Sequence, residues 1–153
     1  MTRIGVISDT HGLVREEVQG LFHGCDVILH AGDIGRYSVL EDLRRIAPVI
    51  AVRGNIDKEQ WAKEIDEYEV IEIEGKYIYI LHNIQELDLE PKGQFDIVIF
   101  GHSHKPVNED KDGVLYFNPG SAGPRRFNLP IAIGVIEIKG NGLHSEIIEI
   151  KPN

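Results

Sequence analysis

The first third of the chain alternates between short apolar runs and segments with helical spacing. The run RIGVIS is rich in β-branched residues, and in the following VREEVQGLF the apolar positions fall on one face of a helix. The apolar runs DVILHAGD and PVIAVRGN come next, with SVLEDLRRI as a second amphipathic segment between them. Buried-type strands that alternate with helices predict a βαβαβ unit with a parallel sheet.

The second half of the chain is dominated by strand patterns. EYEVIEIEGKYIYILH predicts two strands joined at Glu74-Gly75, and FDIVIFGH predicts a further buried strand. VLYFNPGS and IAIGVIEIKGNGLHSEIIEI add more strands, the last two joined at Gly140-Asn141-Gly142, while Asn108–Gly113 predicts a hairpin turn. Together these elements predict an α/β protein of two packed sheets with helices outside, forming one domain over residues 1–153.

Composition and charge narrow the class of protein. The 153 residues are 42% hydrophobic and 27% charged, which is typical of a globular chain. A net charge of −9 argues against a broad, nonspecific nucleic-acid surface, because such a surface needs a basic face. The single cysteine, Cys25, excludes an intrachain disulfide framework and favours a reducing compartment. With no signal-peptide core and no apolar run of about 20 residues, we expect a cytoplasmic protein without a membrane partner.

Each main apolar run ends in a side chain that can bind a metal ion. In open α/β sheets ligands bind beyond the carboxyl ends of the strands, so these side chains can converge. Glycines directly before Asp33, Asn55 and His102 suit tight backbone exits. One such aspartate or asparagine alone is more often a turn former, but the joint pattern favours a site. The seven candidates are Asp9, His11, Asp33, Asn55, His82, His102 and His104.

The chemistry of these seven side chains limits which metal ions they can bind. Nitrogen and oxygen donors suit Mn²⁺, Fe²⁺, Zn²⁺, Ni²⁺ or Co²⁺, and the lack of a thiolate argues against a structural zinc site. Seven donors exceed the need of one four-coordinate ion, whereas two ions that share a carboxylate would use them all. In an extended backbone, His102 and His104 of GHSH would point to the same face.

The blocks DTHG, HAGD, GNID, LH and GHSH, in this order, resemble the five signature blocks of the calcineurin-like metallophosphoesterases. The short length and the later NPGS resemble the small YfcE-like phosphodiesterase subgroup. The resemblance implies a two-sheet αββα sandwich and a metal-dependent phosphodiesterase with two divalent ions, Mn²⁺ first among the candidates. A hydroxide held between the two ions would attack phosphorus, and both ions would stabilise charge on the phosphoryl oxygens.

Position by position, the resemblance implies a ligand set for each ion. Asp33 would bridge the two ions, and Asp33, Asn55 and His82 would take the catalytic roles. The expected substrate is a small phosphodiester rather than a nucleic-acid polymer, while a phosphomonoester and self-association stay open. The first ion would be surrounded by Asp9, His11, Asp33 and His104, and the second by Asp33, Asn55, His82 and His102.

Four other positions bear on the site. Arg125 is a candidate phosphate contact, with a solvated loop arginine as the alternative, and His30 is either a partner of the site or a satisfied buried histidine. Ile56 stands where many family members carry histidine, or cysteine in the small subgroup, and it cannot donate a proton. Protonation of the leaving group would fall to water, to a neighbour such as Asp57, or to nothing. Asn83 stands where the family usually has glycine.

A second class of function has to be weighed against the enzyme. The retromer scaffold subunit of eukaryotes shares the fold that the resemblance implies, so a non-catalytic interaction protein is the alternative. A scaffold is free to lose metal ligands, whereas all seven candidate ligands are present in this chain. The complete set favours the phosphodiesterase.

Overall fold

The structure of the protein is a computed structural model that describes residues 1–151. Its first half contains β1 (Thr2–Ile7), α1 (Glu16–Leu21), β2 (Val27–His30), α2 (Tyr37–Arg44) and β3 (Val49–Ala51). Its second half contains β4 (Tyr68–Ile73), β5 (Lys76–Leu81), β6 (Ile97–Ile99), β7 (Val107–Lys111), β8 (Val114–Asn118), β9 (Ala132–Lys139) and β10 (Gly142–Glu149). The predicted domain runs to residue 153, and its residues 152–153 lie outside the described range.

The strands form two five-stranded mixed sheets, each with a parallel unit. The first sheet has the order β10-β9-β1-β2-β3, and the parallel pairing of β1, β2 and β3 confirms the predicted βαβαβ unit. The second sheet has the order β4-β5-β6-β8-β7, in which β5, β6 and β8 are parallel and the edge strands are antiparallel. The predicted sandwich of two sheets is confirmed.

The main hydrophobic core lies between the two sheets. Neighbouring residues of β1 alternate between two layers, because Val6 packs in the core between the sheets and Ile7 packs in the cluster under the helices. Ile28 and Leu29 of β2 divide in the same way. Strands that are buried on both faces read as continuous apolar runs, which is why the sequence pattern identified them.

The outer layers of the two sheets differ. Val18 of α1 and Leu40 and Leu43 of α2 cover the first sheet. The outer face of the second sheet is covered by the segment 84–95, which contains a short 3-10 turn at Ile84–Glu86 and no α-helix. The two α-helices therefore lie outside the first sheet, in agreement with a two-sheet sandwich that has its helices outside. Over residues 1–151 no helix combines the length and the apolarity needed to cross a membrane.

Two hairpins turn on residue pairs with left-handed backbone. Glu74-Gly75 has φ of 47° and 81° and closes a two-residue turn between β4 and β5, as predicted. Asp112-Gly113 has φ of 56° and 80° and joins β7 to β8. The predicted hairpin turn at Asn108–Gly113 is therefore shorter, since its first four residues belong to β7. This edge strand is mostly exposed and polar, so no apolar alternation marks it in the sequence.

Candidate metal centre

The polar ends of the parallel strands meet at one edge of the sandwich. Asp9 follows β1 and Asp33 follows β2 in the first sheet, while His82 follows β5 in the second. His82 Nε2 lies 3.3 Å from Asp33 Oδ2 and 3.9 Å from Asp9 Oδ1. Side chains from both sheets thus share one cluster, as expected for ligands at the carboxyl ends of parallel strands.

Two overlapping groups of side chains are close enough to hold metal ions. Asp9, His11 and His104 form one group, and Asp9, Asp33 and His82 form the other, with the ligand atoms of each group within 4.8 Å of one another. Asp9 Oδ1 lies 3.4 Å from His104 Nε2 and 4.0 Å from His11 Nε2. Asp33 Oδ2 also faces both groups, because it lies 3.8 Å from His11 Nε2.

Three buried ligand atoms in this cluster have no hydrogen-bond partner among the described residues. They are Asp9 Oδ1, His11 Nε2 and His104 Nδ1. Buried polar atoms are nearly always paired, and an unpaired buried carboxylate oxygen is strongly unfavourable. A divalent cation beside Asp9 Oδ1 and His11 Nε2 would satisfy both of these atoms, whereas His104 faces Asp9 through its other nitrogen, Nε2. Carboxylate oxygens and imidazole nitrogens are donors that such ions accept. The residues present therefore fit the metal ions that the family implies.

The remaining atoms of the same side chains are held by the protein. Asp9 Oδ2 accepts hydrogen bonds from the Ser8 hydroxyl at 2.7 Å and from the backbone N–H of His102 at 3.1 Å. His82 Nδ1–H donates to the Ala31 carbonyl at 2.8 Å, which leaves Nε2 facing Asp33. Asp9 and His82 are thus each oriented through one atom and present another to the cluster.

The charges of this cluster shift two pKa values. Burial opposes a charged imidazole, but the hydrogen bond to Asp33 and the charges of Asp9 and Asp33 raise the pKa of His82. Burial also opposes ionisation of Asp33, but its hydrogen bond with His82 and the neighbouring imidazoles lower the pKa of that carboxyl. Both shifts indicate an anionic site that attracts a cation.

Five of the seven candidate ligands have left-handed backbone. The φ angles are 55° at Asp9, 47° at His11, 57° at Asp33, 73° at His102 and 63° at His104. This conformation costs a non-glycine residue about 1–2 kcal/mol, although aspartate and histidine tolerate it better than most residues. Strained backbone of this kind concentrates at functional sites, where the surrounding contacts impose it.

The same backbone angles decide the conformation of GHSH. The segment is not extended, so His102 and His104 do not share a face as residues i and i+2 of a strand would. His102 Nδ1 lies 3.3 Å from His82 Nε2, whereas His104 faces Asp9. The two imidazoles of this loop therefore contact different parts of the cluster.

The glycines before the ligands have two different roles. Gly32 has a φ of 100°, which is the tight backbone exit that the sequence predicts before Asp33. A Cβ at Gly101 would instead meet the Ser8 hydroxyl and lie 2.7 Å from Asp9 Oδ2, and one at Gly54 would meet the backbone nitrogen and Oδ1 of Asp33. At these two positions glycine permits the close approach of neighbouring ligand loops.

Three of the predicted site residues lie at the rim of the cluster or beyond it. Asn55 and His102 are exposed and line a cleft together with His82. Arg125 is exposed in the loop after Gly123, and over residues 1–151 it forms no ion pair with a candidate ligand. The ligand roles of Asn55 and His102 and the phosphate contact of Arg125 stay predictions.

His30 joins the two loops that carry Asp9, His11 and Asp33. The backbone N–H of Gly32 donates to His30 Nδ1 at 3.1 Å, so the ring proton resides on Nε2, which lies 2.9 Å from the Thr10 hydroxyl oxygen. That hydroxyl donates to the Ile34 carbonyl at 2.9 Å. Full burial lowers the pKa of His30 to about 4, which agrees with a neutral ring. His30 is thus a satisfied buried histidine and also a partner of the site.

The NPGS segment supports two further ligand loops. The Asn118 amide donates to the Gly101 carbonyl at 3.1 Å and to Ser103 Oγ at 3.3 Å. The Ser121 hydroxyl donates to the Asp9 carbonyl at 3.1 Å. The sequence marks NPGS only as part of the family resemblance, because these contacts join segments that are far apart in the chain.

Asp57 is a buried structural carboxylate that ties two ligand loops together. Its Oδ2 accepts hydrogen bonds from the backbone N–H of Ile34 at 3.1 Å and of Gly54 at 2.9 Å, and its Oδ1 accepts from Gly35 at 3.0 Å. Both carboxylate oxygens of Asp57 are thus occupied by backbone N–H donors, and the side chain does not line the cleft beside the cluster. Asp57 is therefore not suited to protonate a leaving group, which was one of the alternatives open at Ile56.

Removing the charge of Asp57 is expected to destabilise the fold. Asp57→Asn keeps the shape but replaces an acceptor by an amide group that faces N–H donors, so we expect a loss of about 2–3 kcal/mol in the free energy of unfolding. The matched control Asp110→Asn, on the exposed β7, should change it by less than about 0.5 kcal/mol. Urea unfolding of metal-free protein measures both, and equal values for the two variants would contradict this role.

The two departures from the family pattern have local explanations. Asn83 has a φ of −115° and its side chain accepts a hydrogen bond from the backbone N–H of Gln85 at 3.1 Å, so it caps the 3-10 turn and needs no glycine. Ile56 has its side chain 43% exposed, while its backbone N–H donates to Asp33 Oδ1 at 3.1 Å. The backbone at position 56 thus supports the site, and its side chain offers no proton.

A two-sheet α/β sandwich with a buried aspartate–histidine cluster at one edge is the arrangement of a metallophosphoesterase. Residues 2–141 match the calcineurin-like phosphoesterase superfamily domain. The chain therefore belongs to the calcineurin-like phosphoesterase superfamily, as its five sequence blocks predict.

Proteins of similar sequence support the resemblance of this chain to the small YfcE-like subgroup. The chain is 32% identical to a probable metallophosphoesterase of Methanothermobacter thermautotrophicus, over 95% of this chain and 91% of that protein. It is 26% identical to the phosphodiesterase YfcE of Escherichia coli, over 90% of this chain and 88% of that one. The predicted resemblance to YfcE-like proteins is confirmed.

Solved structures with the same fold include a phosphodiesterase and a vacuolar protein sorting protein. An archaeal phosphodiesterase superposes with a TM-score of 0.77 at 26% identity and covers 96% of this chain and 100% of its own. Vacuolar protein sorting 29 of Cryptosporidium parvum superposes with a TM-score of 0.84 at 21% identity, covering 98% of this chain and 92% of its own. The second likeness shows the fold alone.

Proposed function

We propose that the protein is a metal-dependent phosphodiesterase that hydrolyses small phosphate diesters at a centre of two divalent ions. The observation that carries this proposal is the pair of buried candidate ligand atoms without partners, Asp9 Oδ1 and His11 Nε2, beside which His104 Nε2 also lies. Membership of the phosphoesterase superfamily supports the reaction class, and relatives named phosphodiesterases support the diester.

The proposed ligand sets are those that the family resemblance implies. When bound, the two ions, with Mn²⁺ as the first candidate, supply an acidified water and positive charge for the phosphoryl oxygens. Asp33 is proposed to bridge them, and the approach of its Oδ2 to both His11 and His82 supports this role. Asp9, His11, Asp33 and His104 would hold one ion, and Asp33, Asn55, His82 and His102 the other.

The residues around the proposed ligands hold them for reaction. The hydrogen bond from His82 Nδ1 to Ala31 fixes the imidazole ring, and the one from Ile56 fixes Asp33. Asn55 lies where the cleft meets the cluster, so its amide can contact a substrate oxygen as well as an ion. Arg125 is proposed as a weaker phosphate contact, since its loop begins at Gly123, which packs against the backbone of Asp9 and Thr10.

A non-catalytic scaffold is the second candidate, because Vps29 shares the fold. The partnerless ligand atoms favour the enzyme, since a scaffold has no use for them. A phosphomonoester is an alternative substrate, because the proposed metal ligands do not distinguish a monoester from a diester. A cytoplasmic location, one domain over residues 1–153 and a preference for small substrates over nucleic acid stay predictions, and self-association stays open.

Metal titration coupled to hydrolysis tests the proposal. Metal-free protein is titrated with Mn²⁺, bound metal is counted by elemental analysis, and turnover of bis-p-nitrophenyl phosphate and p-nitrophenyl phosphate is followed. We expect two equivalents of metal per chain, no turnover without metal, and faster hydrolysis of the diester. Ni²⁺ and Zn²⁺ are tested in parallel to compare the metals. A protein that binds no metal and cleaves neither ester would favour the scaffold.

A further inference from the structure

A cleft of about 730 Å³ opens directly beside the candidate metal centre. Asn55, His82 and His102 line the end nearest the cluster. From there the cleft runs along the outer face of β4 and β5 towards Leu89 and Phe95 in the segment that covers the second sheet. A substrate whose phosphorus lies at the metal centre would therefore extend one of its ester groups into this cleft.

The floor of the cleft is an apolar plate of four side chains. Tyr68 pairs with Leu81 and Val70 pairs with Tyr79 across the two antiparallel strands, which brings all four to one face. The Tyr68 and Tyr79 rings stack with 3° between their planes and centroids 5.6 Å apart. Tyr68 is 57% exposed and Val70 is 49% exposed, so the plate is open to a planar partner.

The rim of the cleft carries negative charge. Glu67, Glu86 and Asp88 line it and are exposed. Its cationic side chain, Arg53, is paired with Glu67 at 3.0 Å and so offers little net positive charge. This rim disfavours an ester group that carries further negative charge, while a neutral group is tolerated.

We propose that this cleft binds a planar, uncharged aromatic group, an aryl ring or a nucleobase, which forms one ester arm of the phosphodiester. The proposal rests on the proposed function, because it places the phosphorus at the metal centre. An aryl ring and a nucleobase both present a flat aromatic face. Stacking on tyrosine favours such a face over an alkyl ester group of equal charge. The acidic rim then excludes arms with an additional carboxylate or phosphate.

Phosphonates test the cleft because their P–C bond is not hydrolysed. Calorimetry on Mn²⁺-loaded protein compares methylphosphonate, phenylphosphonate, 4-carboxyphenylphosphonate and a phosphonate isostere of thymidine 5′-monophosphate. We expect phenylphosphonate to bind about tenfold more tightly than methylphosphonate. We expect 4-carboxyphenylphosphonate to lose most of this tenfold gain in affinity, because its carboxylate meets the acidic rim. An isostere that binds more tightly than phenylphosphonate identifies a nucleobase, and a weaker one identifies a simple aryl ring.

Three tyrosine variants test whether Tyr68 causes the higher affinity for phenylphosphonate. Tyr68→Ala is expected to reduce the phenyl-to-methyl affinity ratio to near one, while Tyr68→Phe keeps it. Tyr77→Ala is the matched control, because Tyr77 is 47% exposed on the neighbouring strand but does not line the cleft. On protein loaded with diamagnetic Zn²⁺, nuclear Overhauser effects between the aryl protons of phenylphosphonate and the Val70 methyl groups give a readout that is independent of affinity.

Two results would overturn the proposal, and they differ from failure of the proposed function. Equal affinities for methylphosphonate and phenylphosphonate, or an unchanged ratio in Tyr68→Ala, would remove the aromatic arm while leaving the phosphodiesterase intact. Absence of any phosphonate binding together with absence of diester hydrolysis would overturn both proposals at once.

Discussion

Asp33→Asn is expected to lower kcat/KM for bis-p-nitrophenyl phosphate about a thousandfold. The substitution keeps the shape of the side chain and an oxygen that can accept the Ile56 N–H, but it removes the negative charge beside His11 and His82. A proposed bridging ligand that loses its charge weakens both ion sites at once. A loss of about 4 kcal/mol of transition-state stabilisation corresponds to this factor.

The Asp33→Asn test has two readouts and a matched control. Bound manganese per chain is expected to fall below two along with turnover, which separates a lost ligand from a lost substrate contact. Asp112→Asn, an exposed aspartate in the β7–β8 turn, should retain both metal and activity. Undiminished hydrolysis by Asp33→Asn would contradict the proposed centre.

The second prediction concerns the leaving group. Because Ile56 cannot donate a proton and both oxygens of Asp57 accept backbone hydrogen bonds, we expect hydrolysis to depend steeply on leaving-group pKa, with p-nitrophenyl diesters far ahead of alkyl diesters. Ile56→His is expected to increase the rate on a phenyl or alkyl leaving group about a hundredfold and to change p-nitrophenyl turnover little. The exposed side chain at this position allows the change without loss of the backbone hydrogen bond to Asp33.

Leaving-group dependence is measured with a series of aryl methyl phosphates. The slope of log kcat/KM against leaving-group pKa should be shallower in Ile56→His than in the natural protein. Ile56→Gln serves as the control, because glutamine is polar and of similar size but is not a general acid near neutral pH. Identical slopes for all three proteins would show that another group supplies the proton.

Local patterns in the sequence predict the strands and the convergence of three candidate ligands, for identifiable reasons. Strands such as β1 and β2 are buried on both faces, so their composition alone identifies them. Candidate ligands stand at the ends of those strands, and parallel strands end at a common edge. The convergence of Asp9, Asp33 and His82 therefore follows from the order of elements and the chemistry of the residues.

Other features depend on contacts between distant segments, which no local pattern reports. Asp57 bonds to Ile34, 23 residues away, and Asn118 to Gly101, 17 residues away. The left-handed backbone angles in GHSH also depend on a distant contact. Gly101 lies against Ser8 and Asp9, which follow a strand of the opposite sheet. An extended GHSH would place both imidazoles on one face, but only this contact between the two sheets explains why the segment turns instead.

The left-handed ligands and the partnerless buried atoms have a thermodynamic consequence. A chain selected only for a stable fold would replace the strained and unpaired residues at this edge, because each of them weakens the metal-free protein. A lineage that gave up catalysis would be free to make those replacements and would gain stability from them. Under the proposed function, the histidines and aspartates of this chain would lower the stability of the metal-free protein in exchange for activity, and bound ions would restore that stability.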